Sequence, residues 1–329
     1  MEIGWLEPER LPELRRLVDE HWRPGHILAR DEELLRWQHP PREDGRLSVL
    51  AADEDGRLVA MLGFVPFRAC VRDLRGRGGW MTNWLVVPEA RGRKLGHALV
   101  QHALDADFDL VGALGANSAT RTVLGRAGFV EAGMHRWVQV FDPDALADLL
   151  RGRRYPEEAW AAWRAEPKAR SGTGRHESFV GACRDEPFRA WRYRGHPGFR
   201  YECLDGDDGF AAYRVEQVKG SASRVVRIVD FLGGATLANE VGEAARAEDA
   251  VFADFWCTST AFGVPLEAAG FQREDTLPAE LPGRFQPLDF SDRPLVSCFW
   301  AADRLGGNRV FASEDLYVTR ADSDLDRPS

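Results

Sequence analysis

The run Val86-Val87-Pro88-Glu89-Ala90-Arg91-Gly92-Arg93-Lys94-Leu95-Gly96-His97-Ala98-Leu99 decides how the chain is read. An apolar stretch, Trp80 to Val87, stops at Pro88, and beyond it Leu95, Ala98, Leu99, His102 and Ala103 recur at the spacing of a helix face. A strand, a short basic loop and a helix start therefore follow one another. The first turn of a helix carries backbone N–H groups without intrahelical partners and the positive end of the dipole, and glycines let a phosphate approach the main chain. Arg91, Arg93 and Lys94 add compensating charge. The segment has the makings of a diphosphate cradle, with Leu85, Val86, Val87, Arg91, Gly92, Arg93, Lys94, Leu95, Gly96 and His97 as its candidate residues. A solvated basic loop over a buried helix is the other reading.

Outward from this segment the pattern stays that of mixed strands and helices. Upstream, Leu11, Leu14, Leu17, Val18 and Trp22 mark a first helix, and Asp31 caps a shorter one that must end before His39-Pro40-Pro41. Leu47 to Ala52 and Leu58 to Val71 read as a hairpin across Asp53-Glu54-Asp55-Gly56. Downstream, Leu110 to Ala116 is a short strand, Asn117 or Ser118 is a helix N-cap, Gly128 suits a left-handed C-terminal cap, and Phe129 to Phe141 completes the unit as strands. Asp142 to Asp185, with Pro143, Pro156 and Pro167 and the polar run Arg170 to Gly174, reads as a connector, with modest helical patterns at Leu146 to Leu150 and Ala159 to Trp163.

Beyond the connector the same order recurs weakly. Trp37-Gln38-His39-Pro40 is echoed by Trp191 and His196-Pro197, and Gly128-Phe129 by Gly270-Phe271, 142 residues later. Strands at Tyr201 to Leu204, Phe210 to Val218, Val225 to Leu232 and Val251 to Trp256, with helices near Leu237 to Ala247 and up to Gly270, complete a second copy. Residues 1–141 are thus expected to form one domain and 186–329 another, with 142–185 between them.

Composition narrows the function. The chain has 329 residues, 44% of them hydrophobic, with 43 Lys and Arg against 52 Asp and Glu for a formal charge of −9. That balance disfavours coating nucleic acid. Five cysteines without a CxxC pair point to neither a disulfide framework nor a zinc site, hence to a reducing cytoplasm, and no apolar run approaches the roughly 18 residues that span a bilayer.

The cradle and the motif after it resemble the GCN5-related N-acetyltransferase (GNAT) family, whose acetyl-CoA loop follows the fourth strand and reads Gln/Arg-x-x-Gly-x-Gly/Ala. Arg91 matches its first position and Gly96 its last, while Lys94 stands where the family has its first glycine. The family's Asn, Ala three later, Tyr seven later and Gly-Phe map onto Asn117, Thr120, Leu124 and Gly128-Phe129. The resemblance covers Leu47 to Phe141. It implies an α/β fold with a mixed sheet, acetyl-CoA held by the cradle and Asn117, and pantetheine lying between splayed strands Trp80 to Val87 and Leu110 to Ala116. The implied chemistry is direct attack of an amine on a thioester polarised by a backbone N–H.

Two usual proton-handling groups are missing: Leu124 replaces the tyrosine, and Thr82, Asn83 and Trp84 stand where a carboxylate is common. His135 and Asn117 are the candidate catalytic residues, with Glu131 and Ser118 behind them; Trp80, Trp84 and Trp137 are core or pocket wall. In the second copy Gly233 to Ala238 has no basic side chain and Ser259 replaces Asn117, so that half is expected to be degenerate and not to hold CoA. Its Asp230, Glu216 and Asp254 are expected as solvated strand-end carboxylates or as ligands of an acceptor. The tail from Tyr317 to Pro328, with Asp322, Asp324 and Asp326 downstream of Asp315, is expected to be frayed, without a metal.

The layout is also similar to tandem GNAT-like proteins of bacterial surface-polysaccharide and amino-sugar pathways. The expectation is an acetyl-CoA-dependent N-acyltransferase acting on a small amine, an amino sugar or a nucleotide-linked one, without nucleic-acid or membrane partners and with a homodimer admitted. A degenerate binding or partner protein is the alternative, and an aminoacyl-tRNA-dependent transferase is a further one.

Overall fold

The computed structural model describes every residue except 107, 151–157, 159–177, 208, 286–287, 290–294, 313, 325 and 327–329. The patterns at Ala159 to Trp163 and Arg170 to Gly174 lie outside the described residues.

Local signals act as the sequence suggests. Leu11–His21 is a helix that buries Leu11, Leu14, Leu17 and Val18. Asp31 Oδ1 accepts from Leu34 N–H (2.9 Å) to start Glu32–Gln38. Asn117 caps Ser118–Arg126 by accepting from Thr120 N–H (2.9 Å). The strand before the basic loop starts earlier than read, at Leu74, because Arg57–Val71 turns straight into Leu74–Val86 through a two-residue turn with Arg72 at φ +52°.

Two mixed sheets result. The first runs in the order Glu2–Trp5, Val49–Glu54, Arg57–Val71, Leu74–Val86, Leu110–Leu114, Val296–Ala301, Val130–Gly133, with Val180–Ala182 joining the end of Arg57–Val71. The second runs Glu202–Gly206, Gly209–Gln217, Arg224–Leu232, Ala250–Cys257, His135–Val140, Gln272–Arg273. Each contains one parallel pair, Leu74–Val86 with Leu110–Leu114 and Arg224–Leu232 with Ala250–Cys257, among antiparallel neighbours.

The halves exchange a strand. Val296–Ala301 lies between Leu110–Leu114 and Val130–Gly133 in the first sheet, placing Phe299 opposite Gly112 and Val130. His135–Val140 fills the matching slot in the second sheet, with His135 opposite Cys257 and Trp137 opposite Phe255. Phe129 to Phe141 therefore does not finish one unit, as expected from the sequence: the chain leaves the first sheet after Gly133 and enters the second at His135. Apolar alternation identifies a half-buried strand but not the sheet that receives it.

Internal symmetry is plain at the helix ends. Phe129 N–H donates to Leu124 O and Phe271 N–H to Leu266 O, both at 3.0 Å, with Gly128 and Gly270 left-handed at φ +86° and +95°. The symmetry also produces a contact between halves. Trp37 and Trp191 stack with centroids 4.7 Å apart, and each indole N–H donates to the other's carbonyl at 3.2 Å. All five cysteines are free, and no helix among the described residues is long and apolar enough to cross a membrane.

Because Phe299 packs edge-on to Trp80 at 6.2 Å, Phe299→Ala should cost about 3–5 kcal/mol. Hydrogen exchange should show the lost protection in Leu110–Leu114 of the first sheet. Loss confined to the second sheet would contradict the exchange.

Candidate functional site

The parallel strands of the first sheet pair only from Gly78 to Met81 with Leu110 to Ala113. Beyond that they part, and among the described residues no strand is registered between them. At the parting point Leu74–Val86 is irregular: Gly63 faces Thr82 but Met61 faces Leu85, and Asn83 is left-handed at φ +47°. Val87 N–H is committed to Val59 O (3.0 Å), so strand alternation turns the backbone of Val86 toward the gap, where its carbonyl accepts from Arg91 Nε (3.2 Å). Leu85 and Val87 are core side chains, so these cradle candidates serve the gap through the backbone of Val86 alone.

At the mouth of the gap, Lys94 O accepts the first intrahelical bond of Leu95–Ala106, from Ala98 N–H at 3.0 Å. That leaves the N–H groups of Leu95, Gly96 and His97 as donors of the first turn. Lys94 takes the left-handed conformation, φ +59°, that glycine would take without strain, and Gly92 does so at φ +79°. Gly96 has a packing reason as well: a Cβ there would stand 2.8 Å from Trp84 Cζ2. Trp84 is thereby the floor of the helix start, while Trp80 and Trp137 are core. Arg91 and Lys94 are exposed beside the turn, whereas Arg93 is turned away to Glu54 (2.9 Å). The cradle thus has fewer free cations than the sequence suggested.

Behind the parting point lies a buried polar cluster of which sequence reasoning treated His39 only as a repeat landmark and read Thr82 and Asn83 as replacing a carboxylate. His39 Nδ1 is 2.9 Å from Phe64 O, so it carries the proton and donates. Nε2 is then the acceptor, 3.2 Å from both Gln38 Nε2 and Asn83 Nδ2, and Asn83 Nδ2 also donates to Thr82 Oγ1 at 3.1 Å. Gly63 makes the space, since a Cβ there would meet His39 Cε1 at 2.5 Å. The imidazole ties the strand Arg57–Val71 to the irregular point of its neighbour.

The predicted catalytic residues fare differently. His135 stands on the strand given to the second sheet, 3.2 Å from Arg273 Nη2, and burial together with Arg273 pushes its pKa down. Asn117 spends its Oδ1 on the helix cap, as Ser259 does 142 residues later toward Ala261 N–H (3.2 Å). Glu131 is exposed and ion-paired to Arg121 at 2.7 Å, and Leu124 is wholly buried core.

The second sheet has the same parting, beyond Ile228 and Phe255, with Val229 as the irregular residue. There the gap is filled by the chain itself. Thr258 N–H donates to Val318 O (3.1 Å), Thr319 bridges Cys257, and Ala321 N–H donates to Val229 O (3.0 Å). The tail is therefore not frayed: Tyr317, Thr319, Asp322 and Asp326 are buried. Arg184 clamps it, reaching Asp230 and Asp322 at 2.6 Å each, and Asp230 also accepts from Tyr193 and Tyr317 hydroxyls. Asp254 and Glu216 are buried too, with Asp254 between Arg136 (2.7 Å) and Arg227 (3.2 Å). Burial alone would raise the Asp254 pKa; Arg227 and Arg136 overcome it and hold the carboxyl well below the usual range. None of the three is a solvated strand end. Spaced arginines and aspartates at apparently external positions were the only sequence trace of this network.

Comparison with known proteins bears on the fold. Residues 11–129 match the model of the acetyltransferase (GNAT) family. By that match residues 11–129 carry a GNAT domain. Crystal structures of GCN5-related N-acetyltransferases from Kribbella flavida (15% identity, 92% of this chain and 71% of that one, TM-score 0.52) and Anabaena variabilis ATCC 29413 (11%, 91% and 72%, 0.53) share the fold across both halves. No curated protein matches the chain.

In the GNAT domain, Gly96→Val should push the helix start off Trp84 and weaken CoA binding by about tenfold or more. Lys94→Gly should stabilise the protein by relieving roughly 1–2 kcal/mol of left-handed strain and, removing only one exposed cation from the site, should weaken binding by no more than about threefold. Calorimetric titration of the two variants with CoA separates the effects; equal losses would deny the helix start its role.

Proposed function

We propose that the GNAT domain transfers an acyl group from acyl-CoA to the nitrogen of a small amine, and that the second half does not bind CoA. The observation that carries this reading is the contrast between the two gaps: one is lined by strand backbone and opens beside a helix start with Arg91 and Lys94, the other is occupied by residues 316–321. Acyl-CoA supplies a thioester carbonyl open to attack by an amine. The N–H groups of the first helical turn, with Arg91 and Lys94, suit its diphosphate. The Val86 backbone turned into the gap suits the amides of the pantetheine arm.

Positioning supplies the catalysis, since the hydroxyl at the parting point, that of Thr82, is engaged by Asn83 Nδ2 at 3.1 Å. The amine nitrogen bonds to the carbonyl carbon, the carbon–sulfur bond breaks, and the amine's proton is lost to solvent or to the thiolate. His39, through Asn83, fixes the irregular residue beside which this occurs. Amino sugars, free or nucleotide-linked, are the acceptors to try first within the amine class.

A binding or partner role is the second reading, favoured by the burial of Leu124 where a hydroxyl would protonate the departing thiolate. Calorimetry with acetyl-CoA, followed by thiol release across an amine panel, tests both. Saturable binding with amine-dependent thiol release is the expected result, binding without release supports the partner reading, and no binding at millimolar acetyl-CoA ends both. His39→Ala should lower kcat by roughly 10- to 100-fold with CoA affinity kept, about 1.4–2.7 kcal/mol of transition-state stabilisation; an unchanged kcat would remove the positioning role.

A further inference from the structure

Strand register brings two thiols onto one face of the first sheet. Val180–Ala182 pairs antiparallel with the end of Arg57–Val71, setting Cys70 opposite Gly181 and Ala69 opposite Ala182, and the ladder runs one step further through Cys183 N–H to Arg68 O at 2.8 Å. Directly opposed residues point their side chains to the same side of a sheet, as do alternate residues of one strand. Cys70, Gly181 and Cys183 therefore share a face. Gly181 puts no side chain between the two sulfurs, and a Cβ there would stand 2.3 Å from Tyr317 O. The thiols meet on the diagonal, Cys70 S–H donating to the Cys183 sulfur.

The same face is basic and reaches solvent. Arg75 stands opposite Cys70 on Leu74–Val86, Arg77 stands opposite Arg68, and all three arginines are exposed. The Arg68 side chain, 60% exposed, lies 3.3 Å from Asp185 and hydrogen-bonds the Cys183 sulfur. Cys70 and Cys183 are themselves only 8% and 4% exposed, but the side chains beside them are surface ones. Diagonal neighbours in a ladder are about 7–8 Å apart at Cα, slightly more than a disulfide spans. Cys183 stands one residue past the end of its strand, so closing that difference costs no more than its single bond to Arg68 O.

These surroundings divide the two sulfurs into different roles. The Cys70 hydrogen bond, with help from Arg68 and Arg75, outweighs burial and brings the Cys183 pKa down to about 6, whereas the same bond and burial push Cys70 up. Cys183 is thus largely thiolate at neutral pH, and Cys70 keeps its proton. Burial raises the other three, Cys203, Cys257 and Cys298. A thiolate in an electropositive setting beside a second thiol is the arrangement that oxidants attack selectively.

We propose that Cys183 is an oxidation site for hydrogen peroxide, and that Cys70 resolves the oxidised sulfur into a reversible disulfide between Arg57–Val71 and the segment that leads into the second half. The Cys183 thiolate attacks one peroxide oxygen, the O–O bond breaks, and the released hydroxide takes up a proton to leave as water. The Cys70 sulfur then bonds to the sulfenic sulfur, the S–O bond breaks, and the hydroxyl leaves as a second water with the Cys70 proton. One peroxide is reduced and two thiols are oxidised. Arg184, the residue after Cys183, clamps Asp230 and Asp322, so the new bond ties the GNAT domain covalently to the anchor of the filled gap. Exchange with a small thiol returns the dithiol.

The test uses the full chain, treated at neutral pH with a small molar excess of hydrogen peroxide, then unfolded and labelled with N-ethylmaleimide. Intact mass should show all five cysteines labelled before treatment, two labels lost after it, and all five restored when dithiothreitol precedes labelling. A peptide map should contain the Cys70–Cys183 cross-link. Cys183→Ser should keep every remaining label, and Cys70→Ser should stop at the sulfenic acid, trapped on Cys183 by dimedone. Full labelling of the treated parent, loss of two labels in Cys183→Ser, or a main product linked through another cysteine overturns the proposal; a link between chains through the exposed Cys203 would show as a dimer on a non-reducing gel. Should a serine variant not fold, the peptide map of the parent decides. Neither coenzyme nor amine enters the experiment, so its outcome is independent of the proposed activity.

Discussion

When two parallel strands part inside a sheet, the N–H and C=O groups that would have paired must find other partners, and this obligation shapes both halves of the molecule. In the first half the strands separate after Met81 and Ala113, leaving backbone groups turned to a gap that no strand among the described residues enters. In the second the same obligation is met from within, by Val318, Thr319 and Ala321. One topology thus yields a gap that no strand enters among the described residues and a filled one. The difference lies in a segment remote in sequence from either strand, not in the strands themselves.

Filling the slot has consequences for charge. The segment brings Asp322 and Asp326 into the interior, where each must be paired, and Arg184 and Arg214 pair them while Arg192 holds the carbonyl of Ala321. Buried ion pairs of this kind add little net stability when intact but are severe to break, so they specify one position for the segment more than they strengthen it. The strand exchange works in the same sense. With Val296–Ala301 in the first sheet and His135–Val140 in the second, neither half completes its sheet without the other, and the Trp37–Trp191 stack closes the seam between them.

The fold was largely legible because its signals are local. Asp31 and Asn117 cap the helices they precede, Gly128 and Gly270 end helices in the left-handed region, and the loop from Arg91 to Gly96 enters a helix as its pattern required. The candidate site was legible in part. Helix-start backbone donors follow from the loop itself, and so does the commitment of Asn117 to its own cap, but the loss of Arg93 to Glu54 depends on a neighbour that spacing does not reveal. His39 was hidden because its partners, Phe64 O and Asn83, lie on two other strands.

Sequence alone determined most helix starts and ends, that the chain repeats itself, and that a basic helix start follows the third long strand, but neither the start of Leu74–Val86 nor the strand Val296–Ala301. Those features rest on period, caps and turns, which act over a few residues. Tertiary structure alone decided that His135–Val140 crosses to the other sheet, that the acidic C-terminal segment is buried, and that the second gap is filled from within while no strand among the described residues enters the first. Such choices depend on which distant backbone and charged groups meet, and a pattern of alternating side chains is the same whichever partner it finds.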